Sequence, residues 1–199
     1  MARCRVKQGV AVMAEIPAIV RAYRKQNEGV SDAEGTNRYF DCLEKLQRSK
    51  RDARSRLQYA MMCLSFLEPF IKDAKKEFGE VPPVIPAIYE ATIFQAINGA
   101  RGQLENILEL VKFFPEIDDY IPAVEEGFVM LELAAKIRKH LSKSPGAQQN
   151  KLKKPLGFND GRLISRVVHY MEVAGQLERK KNGKTYELYI QETKKPPFV

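Results

Sequence analysis

Apolar positions recur at helical spacing through most of the first 140 residues of the chain. Near the N-terminus, this pattern predicts a helix that Pro17 kinks or divides. A stretch rich in Gly, Ser and acidic residues then predicts a loop over Asn27–Asn37, with Thr36 or Asn37 as the N-cap of the next helix. That helix is predicted to run unbroken over Arg38–Glu68, with its polar middle section in solvent.

Shorter helical patterns follow at Ile71–Phe78, Ala87–Ala96 and Gln103–Phe113. A proline-rich segment at 81–86 predicts a stiff, extended connector between the first two. Before residue 176, no run of residues alternates between apolar and polar as a half-buried strand does. The first part of the chain is therefore predicted to be an all-α bundle, which ends at the segment 114–122, where two prolines bracket acidic residues.

The pattern changes after that segment. An amphipathic helix is predicted at Val124–Leu141, a short basic helix at Gln148–Leu156, and a second amphipathic helix from about Asp160 to Ala174. The second amphipathic helix ends at Gly175, a residue type that often ends helices. Its core-facing stripe is predicted to consist of Leu163, Val167, Tyr170, Met171 and Ala174. Its exposed face is predicted to carry Arg162, Ser165, Arg166, His169 and Glu172.

Two β-rich runs, Gln176–Lys181 and Lys184–Ile190, flank Asn182 and Gly183. Asn-Gly between such runs is the strongest short-range signal for a β-hairpin, because both turn residues tolerate a positive φ. The sequence therefore predicts a hairpin with a basic tip after the last helix.

The net charge of +8 is concentrated in one segment. Between Lys136 and Lys184 there are 13 Lys and Arg residues and only three Asp and Glu, whereas the residues before Lys136 are close to neutral. Such a basic segment is typical of polyanion binding. The alternative interpretation is a solvated basic surface without a partner.

The order helix, helix, turn, helix and basic hairpin resembles the winged helix-turn-helix superfamily over about residues 124–191. Together with the predicted helical bundle, the resemblance predicts a mainly α fold, with an α-helical domain at 1–121, a winged-helix domain at 122–192 and a C-terminal tail at 193–199. It also implies binding of double-stranded DNA, with the exposed helix in the major groove. The base-contact candidates are Arg162, Ser165, Arg166 and His169. The phosphate-contact candidates are Lys151, Lys153, Lys154, Lys180, Lys181, Asn182 and Lys184.

Catalytic and metal chemistry find little support in the sequence. Three scattered cysteines and two histidines do not form a zinc or disulfide pattern, and no phosphate-loop, GxGxxG, HExxH or GxSxG motif is present. The acidic residues from Glu116 to Glu126 are interpreted as residues that stabilise the start of a helix through its dipole, and not as metal ligands. We therefore expect a non-enzymatic, cytoplasmic protein without cofactor, metal or membrane segment, and Met13 is a candidate natural start.

The sequence thus predicts a transcription regulator that binds double-stranded DNA, with a helical domain that forms a homodimer or binds a protein partner. The competing hypothesis is a scaffold subunit whose winged helix contacts proteins, since the layout is also similar to PCI-type subunits of large complexes. A protein interface would be more apolar at its centre than this basic segment. RNA binding is a further alternative, although no aromatic platform on a sheet is evident.

Overall fold

The computed structural model describes residues 15–49, 52–81 and 85–191, and most of these residues are helical. The α-helices before residue 114 are α1 Ala18–Gln26, α2 Asp32–Arg48, α3 Ala53–Ser65, α4 Leu67–Phe78, α5 Pro86–Ile97 and α6 Arg101–Phe113. A 3₁₀ helix, Pro115–Tyr120, leads directly into α7, Ile121–Lys143. The later elements are β1 Ala147–Gln148, a 3₁₀ turn Gln149–Lys151, α8 Lys153–Leu156, α9 Gly161–Val173, β2 Leu177–Asn182 and β3 Thr185–Ile190.

A mainly helical chain with a small β element near its C-terminus is therefore confirmed. The predicted tail at 193–199 lies outside the described residues, as do Met13 and the centre of the predicted connector, residues 82–84. Within the described ranges, the structure contains no helix that is both long and apolar enough to cross a membrane.

Two predicted boundaries in the helical region are wrong. The predicted loop over Asn27–Asn37 contains the first turns of α2, because Ser31 caps that helix by accepting a hydrogen bond from the Glu34 N–H at 3.3 Å. The single helix predicted over Arg38–Glu68 is divided twice. It stops after Arg48, it restarts with Asp52 as N-cap of α3, and it divides again at Phe66 between α3 and α4.

The buried apolar residues form two clusters. The first lies among α1 to α6, the 3₁₀ helix and the start of α7, and in it Tyr39 and Phe70 stack with their ring centroids 4.2 Å apart. The second joins the helical region to the C-terminal elements, since it contains Phe94 of α5 together with Val167 of α9 and Leu188 of β3. The predicted domain division after residue 121 falls at the first residue of α7 and stays a prediction.

An ion pair between Arg24 and Glu68 links α1 to the start of α4. Arg24 donates two hydrogen bonds to the Glu68 carboxylate, at 2.8 and 2.9 Å, and the Lys72 ammonium lies 3.0 Å from it. Burial alone would raise the pKa of Glu68, but the hydrogen bonds from its two cationic partners bring this pKa below the usual value.

The C-terminal strands form one antiparallel sheet in the order β1-β3-β2. A hairpin forms as predicted, but its two-residue turn is Gly183–Lys184 and not Asn182–Gly183. Asn182 is the last residue of β2, opposite Thr185, and only Gly183 of the expected turn pair has a positive φ, 59°. Strand β1 was not predicted: the basic helix expected over Gln148–Leu156 is instead a two-residue strand, a 3₁₀ turn and the single helical turn α8. Because β1 pairs with β3, the end of α7 is tied to the hairpin.

Candidate nucleic-acid interface

Helix α9 carries the predicted base-contact residues, and its local sequence explains its start and its orientation. The backbone N–H groups of Leu163 and Arg162 donate to Asp160 Oδ1, at 3.0 and 2.8 Å. These hydrogen bonds cap the helix and hold the pKa of the Asp160 carboxyl below its usual range. The buried residues of α9 are Leu163, Ile164, Val167, Val168 and Met171. The predicted core stripe therefore omitted Ile164 and Val168, and it included Tyr170 and Ala174, which are only half-buried.

All four base-contact candidates are exposed on one face of α9. Arg162 and His169 lie along its centre. The side chain of Arg162 has no hydrogen-bond or ion-pair partner among the described residues, and the His169 ring meets Tyr170 edge-on at 5.5 Å. Ser165 and Arg166 lie toward opposite edges of the face, and both contact other elements.

The two edges of this face differ in charge. On one edge, Gln149 Nε2 donates a hydrogen bond to Ser165 Oγ at 3.1 Å, which links α9 to the segment after β1. On the other edge, Arg166 forms an ion pair with Glu126 of α7 and approaches the Met130 sulfur at 3.3 Å. One edge is therefore neutral, whereas a carboxylate occupies the other.

Some candidate side chains of the hairpin extend into solvent, and others contact residues of the same sheet. Lys181 is exposed near the end of β2, and Lys184 is exposed in the turn. Lys180 lies 3.7 Å from Glu178 and 4.8 Å from the centroid of the Tyr189 ring, whereas Asn182 donates to Glu187 at 2.6 Å. Of the four hairpin candidates, Lys181 and Lys184 are thus the two whose side chains are not held within the sheet.

A groove of about 360 Å³ separates α9 from the hairpin. Its lining residues are Gln149, Asn150, Lys153, Gly161, Ile164, Ser165, Lys184, Thr185 and Tyr186. A Cβ at position 161 would lie 2.6 Å from the Lys153 Cε, so a larger residue there would require the exposed end of the Lys153 side chain to move. The lining contains two cations and no carboxylate, so the groove is a basic channel beside the exposed face of α9.

Among the 13 cations of the segment 136–184, four are engaged in intramolecular contacts. Arg166 and Lys180 pair with carboxylates as described above, and Arg179 donates to Glu172 at 2.6 Å. Arg138 donates to the Ile97 carbonyl and to Gln176 Oε1, and burial lowers the pKa of its guanidinium. The other nine are exposed and form no salt bridge in the described chain: Lys136, Lys139, Lys143, Lys151, Lys153, Lys154, Arg162, Lys181 and Lys184. Two of them, Lys153 and Arg162, lie close enough to Asp160 to help lower the pKa of its carboxyl.

The structure also shows what surrounds the charged residues of the helical region. Arg48 pairs with Glu44, Arg56 pairs with Glu90, and Lys75 donates to Glu116 at 2.7 Å. Among the residues that the structure describes, no group of three or more His, Cys, Asp or Glu side chains is arranged to hold a metal ion. The unpaired basic surface is therefore denser in the C-terminal segment than in these helices.

Local sequence reasoning missed the contacts that fasten α9 to the helical region. Arg56 of α3 places its guanidinium 5.2 Å from the Phe94 ring centroid and 5.9 Å from that of Tyr170. Gln176 donates to Asn98 at 2.8 Å and thereby connects the start of the hairpin to the end of α5. These partners are up to 114 residues apart in sequence, and no periodicity or motif signals such pairs.

Comparison with protein-family models, with curated proteins and with solved structures gave no match to this chain.

Proposed function

We propose that the chain is a non-enzymatic regulator that binds double-stranded DNA through residues 122–191, arranged as a winged helix. The element order helix, strand, helix, helix, strand, strand, with β1 paired to β3, supports this proposal, since it resembles the winged-helix arrangement. In that arrangement, α9 is the recognition helix and the β2–β3 turn is the tip of the wing.

The basic groove between α9 and the hairpin is the observation that carries the proposal. Lys153 and Lys184 stand in its lining, and neither forms a salt bridge among the described residues, although Lys153 contributes to lowering the pKa of the nearby Asp160 carboxyl. Exposed lysines beside a helix that presents Arg162 suit a duplex, because lysines bind phosphates while an arginine can make two hydrogen bonds to guanine. The groove also contains Ile164 and Tyr186, so its lysines, and not an absence of apolar side chains, favour nucleic acid over a protein partner.

Each candidate then has a defined role. Arg162, Ser165 and His169 face the base edges, and Arg166 joins them once it leaves Glu126. Five unpaired phosphate-contact candidates set affinity and salt dependence: Lys151, Lys153, Lys154, Lys181 and Lys184. The helical region pairs two copies, so that two half-sites are bound at a fixed spacing.

Fluorescence anisotropy with labelled duplex DNA at several salt concentrations tests this function. The slope of log K against log salt is negative, and each lost phosphate contact makes it less steep by about 0.9. The slope for the double variant K153A/K184A should therefore be less steep than the wild-type slope by about 1.8. The matched control K76A/K112A removes two exposed lysines from α4 and α6 and should keep the wild-type slope.

The same assay separates the alternatives. Single-stranded DNA and RNA of equal length serve as competitors, and duplex DNA should bind most tightly. If the wild-type protein did not bind duplex DNA at low salt, the proposal would be wrong and the scaffold hypothesis would take its place. If both double variants lost the same slope, the groove would not be the binding site.

Arg162→Ala tests the role of α9 as a reader of sequence. Once a preferred site is selected from a random duplex library, this variant should lose about 1–3 kcal/mol of discrimination at one base position. An unchanged preference would assign sequence readout to another element.

A further inference from the structure

The Arg166–Glu126 ion pair lies at the edge of the face that the proposed function places against DNA. Arg166 is the one base-contact candidate that the described structure joins to a carboxylate. Its other contact, the Met130 sulfur, is one helical turn beyond Glu126. The arginine therefore lies along α7 and not toward the groove.

We propose that Glu126 sets the affinity of the interface by competing with nucleic acid for Arg166. This inference rests on the proposed function. In the unbound protein, Glu126 holds the guanidinium and adds a negative charge beside the exposed face of α9. When a duplex binds, the arginine exchanges the carboxylate for a phosphate or a base edge, and Glu126 becomes an unpaired anion close to phosphates.

The exposure of the pair makes this exchange feasible. The side chains of Arg166 and Glu126 are 42% and 41% exposed, so water solvates both groups when they separate. Breaking an ion pair with this exposure changes the equilibrium constant for DNA binding by up to about fivefold. By contrast, the Arg56–Glu90 pair is only 17% and 18% exposed and is not suited to exchange.

Glu125 provides a matched control on the same helix. It is exposed, it precedes Glu126 directly, and it has no ion-pair partner among the described residues. Glu126→Gln and Glu125→Gln each remove one negative charge from the same turn of α7. The two variants therefore differ in whether Arg166 is released.

The experiment measures duplex DNA affinity by fluorescence anisotropy for E126Q, E125Q, R166Q and E126Q/R166Q. E126Q should bind about three- to fivefold more tightly than wild type, whereas E125Q should change affinity less than about twofold, because Glu125 does not hold Arg166 and salt screens an exposed charge. In the R166Q background, E126Q should gain no more than E125Q gains alone. E126Q should melt no more than about 2–4 °C below E125Q, because the lost pair contributes only a small part of the stability, while its affinity for DNA rises. A purely structural role of the pair would lower the melting temperature without raising the affinity.

The outcomes distinguish this inference from the function on which it rests. Wild-type binding together with equal effects of E126Q and E125Q would overturn the competition and leave the DNA-binding proposal in place. An undiminished gain from E126Q in the R166Q background would overturn it as well. If wild-type protein did not bind duplex DNA, both proposals would be wrong.

Discussion

Arg56 is the residue whose replacement should most clearly affect the placement of α9. Its guanidinium donates to Glu90 Oε1 at 2.6 Å and lies over the rings of Phe94 and Tyr170. The other oxygen of Glu90 is buried without a hydrogen-bond partner. Arg56→Met keeps much of the side-chain volume but leaves the half-buried Glu90 carboxylate without its cation.

The expected loss of stability follows from these contacts. Leaving a charged group buried and unsatisfied costs about 2–3 kcal/mol at this partial exposure, between the values for neutral polar groups and fully buried charges. The lost cation–π contacts add about 0.5–1 kcal/mol. A total near 3 kcal/mol corresponds to a fall of roughly 6–12 °C in melting temperature for a chain of this length.

Urea and thermal unfolding of R56M, E90M and R56M/E90M test the reasoning. Because the unpaired carboxylate is the main cost, the double variant should recover at least about half of the loss seen in R56M. If R56M lost less than about 0.5 kcal/mol, the structural importance assigned to this pair would be wrong. A double variant as unstable as the sum of the single variants would refute the unpaired-charge argument.

Three further predictions concern the packing, the N-terminal ion pair and the hairpin. Gly127→Ala should lower the free energy of unfolding in urea by about 1 kcal/mol, because the new Cβ would lie 2.5 Å from the Thr92 methyl. The control Gly102→Ala should not destabilise, because its Cβ meets nothing within 4 Å. Equal effects of the two variants would contradict this prediction. Since the folded-state pKa of Glu68 is lowered, its stabilising contribution is present above the ordinary Glu pKa and is lost as pH falls. The stability difference between wild type and Glu68→Gln should therefore shrink from pH 6 to pH 3 in thermal unfolding, and a constant difference would argue against this ion pair. Lys181→Ala should weaken binding to all duplex sequences about equally in anisotropy, and a sequence-dependent loss would mark Lys181 as a base contact.

Local signals predicted the last helix and the existence of the hairpin. The helix between Asp160 and Gly175 lies where the sequence indicated and the hairpin turn is shifted by one residue, because cap and turn residues act on their immediate neighbours. In the helical region, similar local signals mark two of the helix starts that were predicted wrongly. Ser31 and Glu34 form an Ser-x-x-Glu pattern that marks a helix start, and Asp52 is a suitable N-cap within a polar stretch.

Long-range features were beyond such reasoning. Strand β1 has two residues, too few to show alternation, and it exists because β3 supplies its hydrogen bonds. The exposed face of α9 followed from helical periodicity, but the contact between Arg166 and Glu126 joins residues 40 positions apart. The sequence therefore indicated which side chains are exposed on α9, whereas their partners depend on how α7 packs against it.

The most direct test of the proposed interface is an NMR titration of the ¹⁵N-labelled full chain with a duplex DNA. The account predicts the largest amide shifts at Arg162, Ser165, His169 and around Lys184, with small shifts along α4. Shifts confined to α1 to α6, or none at a DNA concentration that saturates anisotropy, would contradict the placement of α9 against DNA.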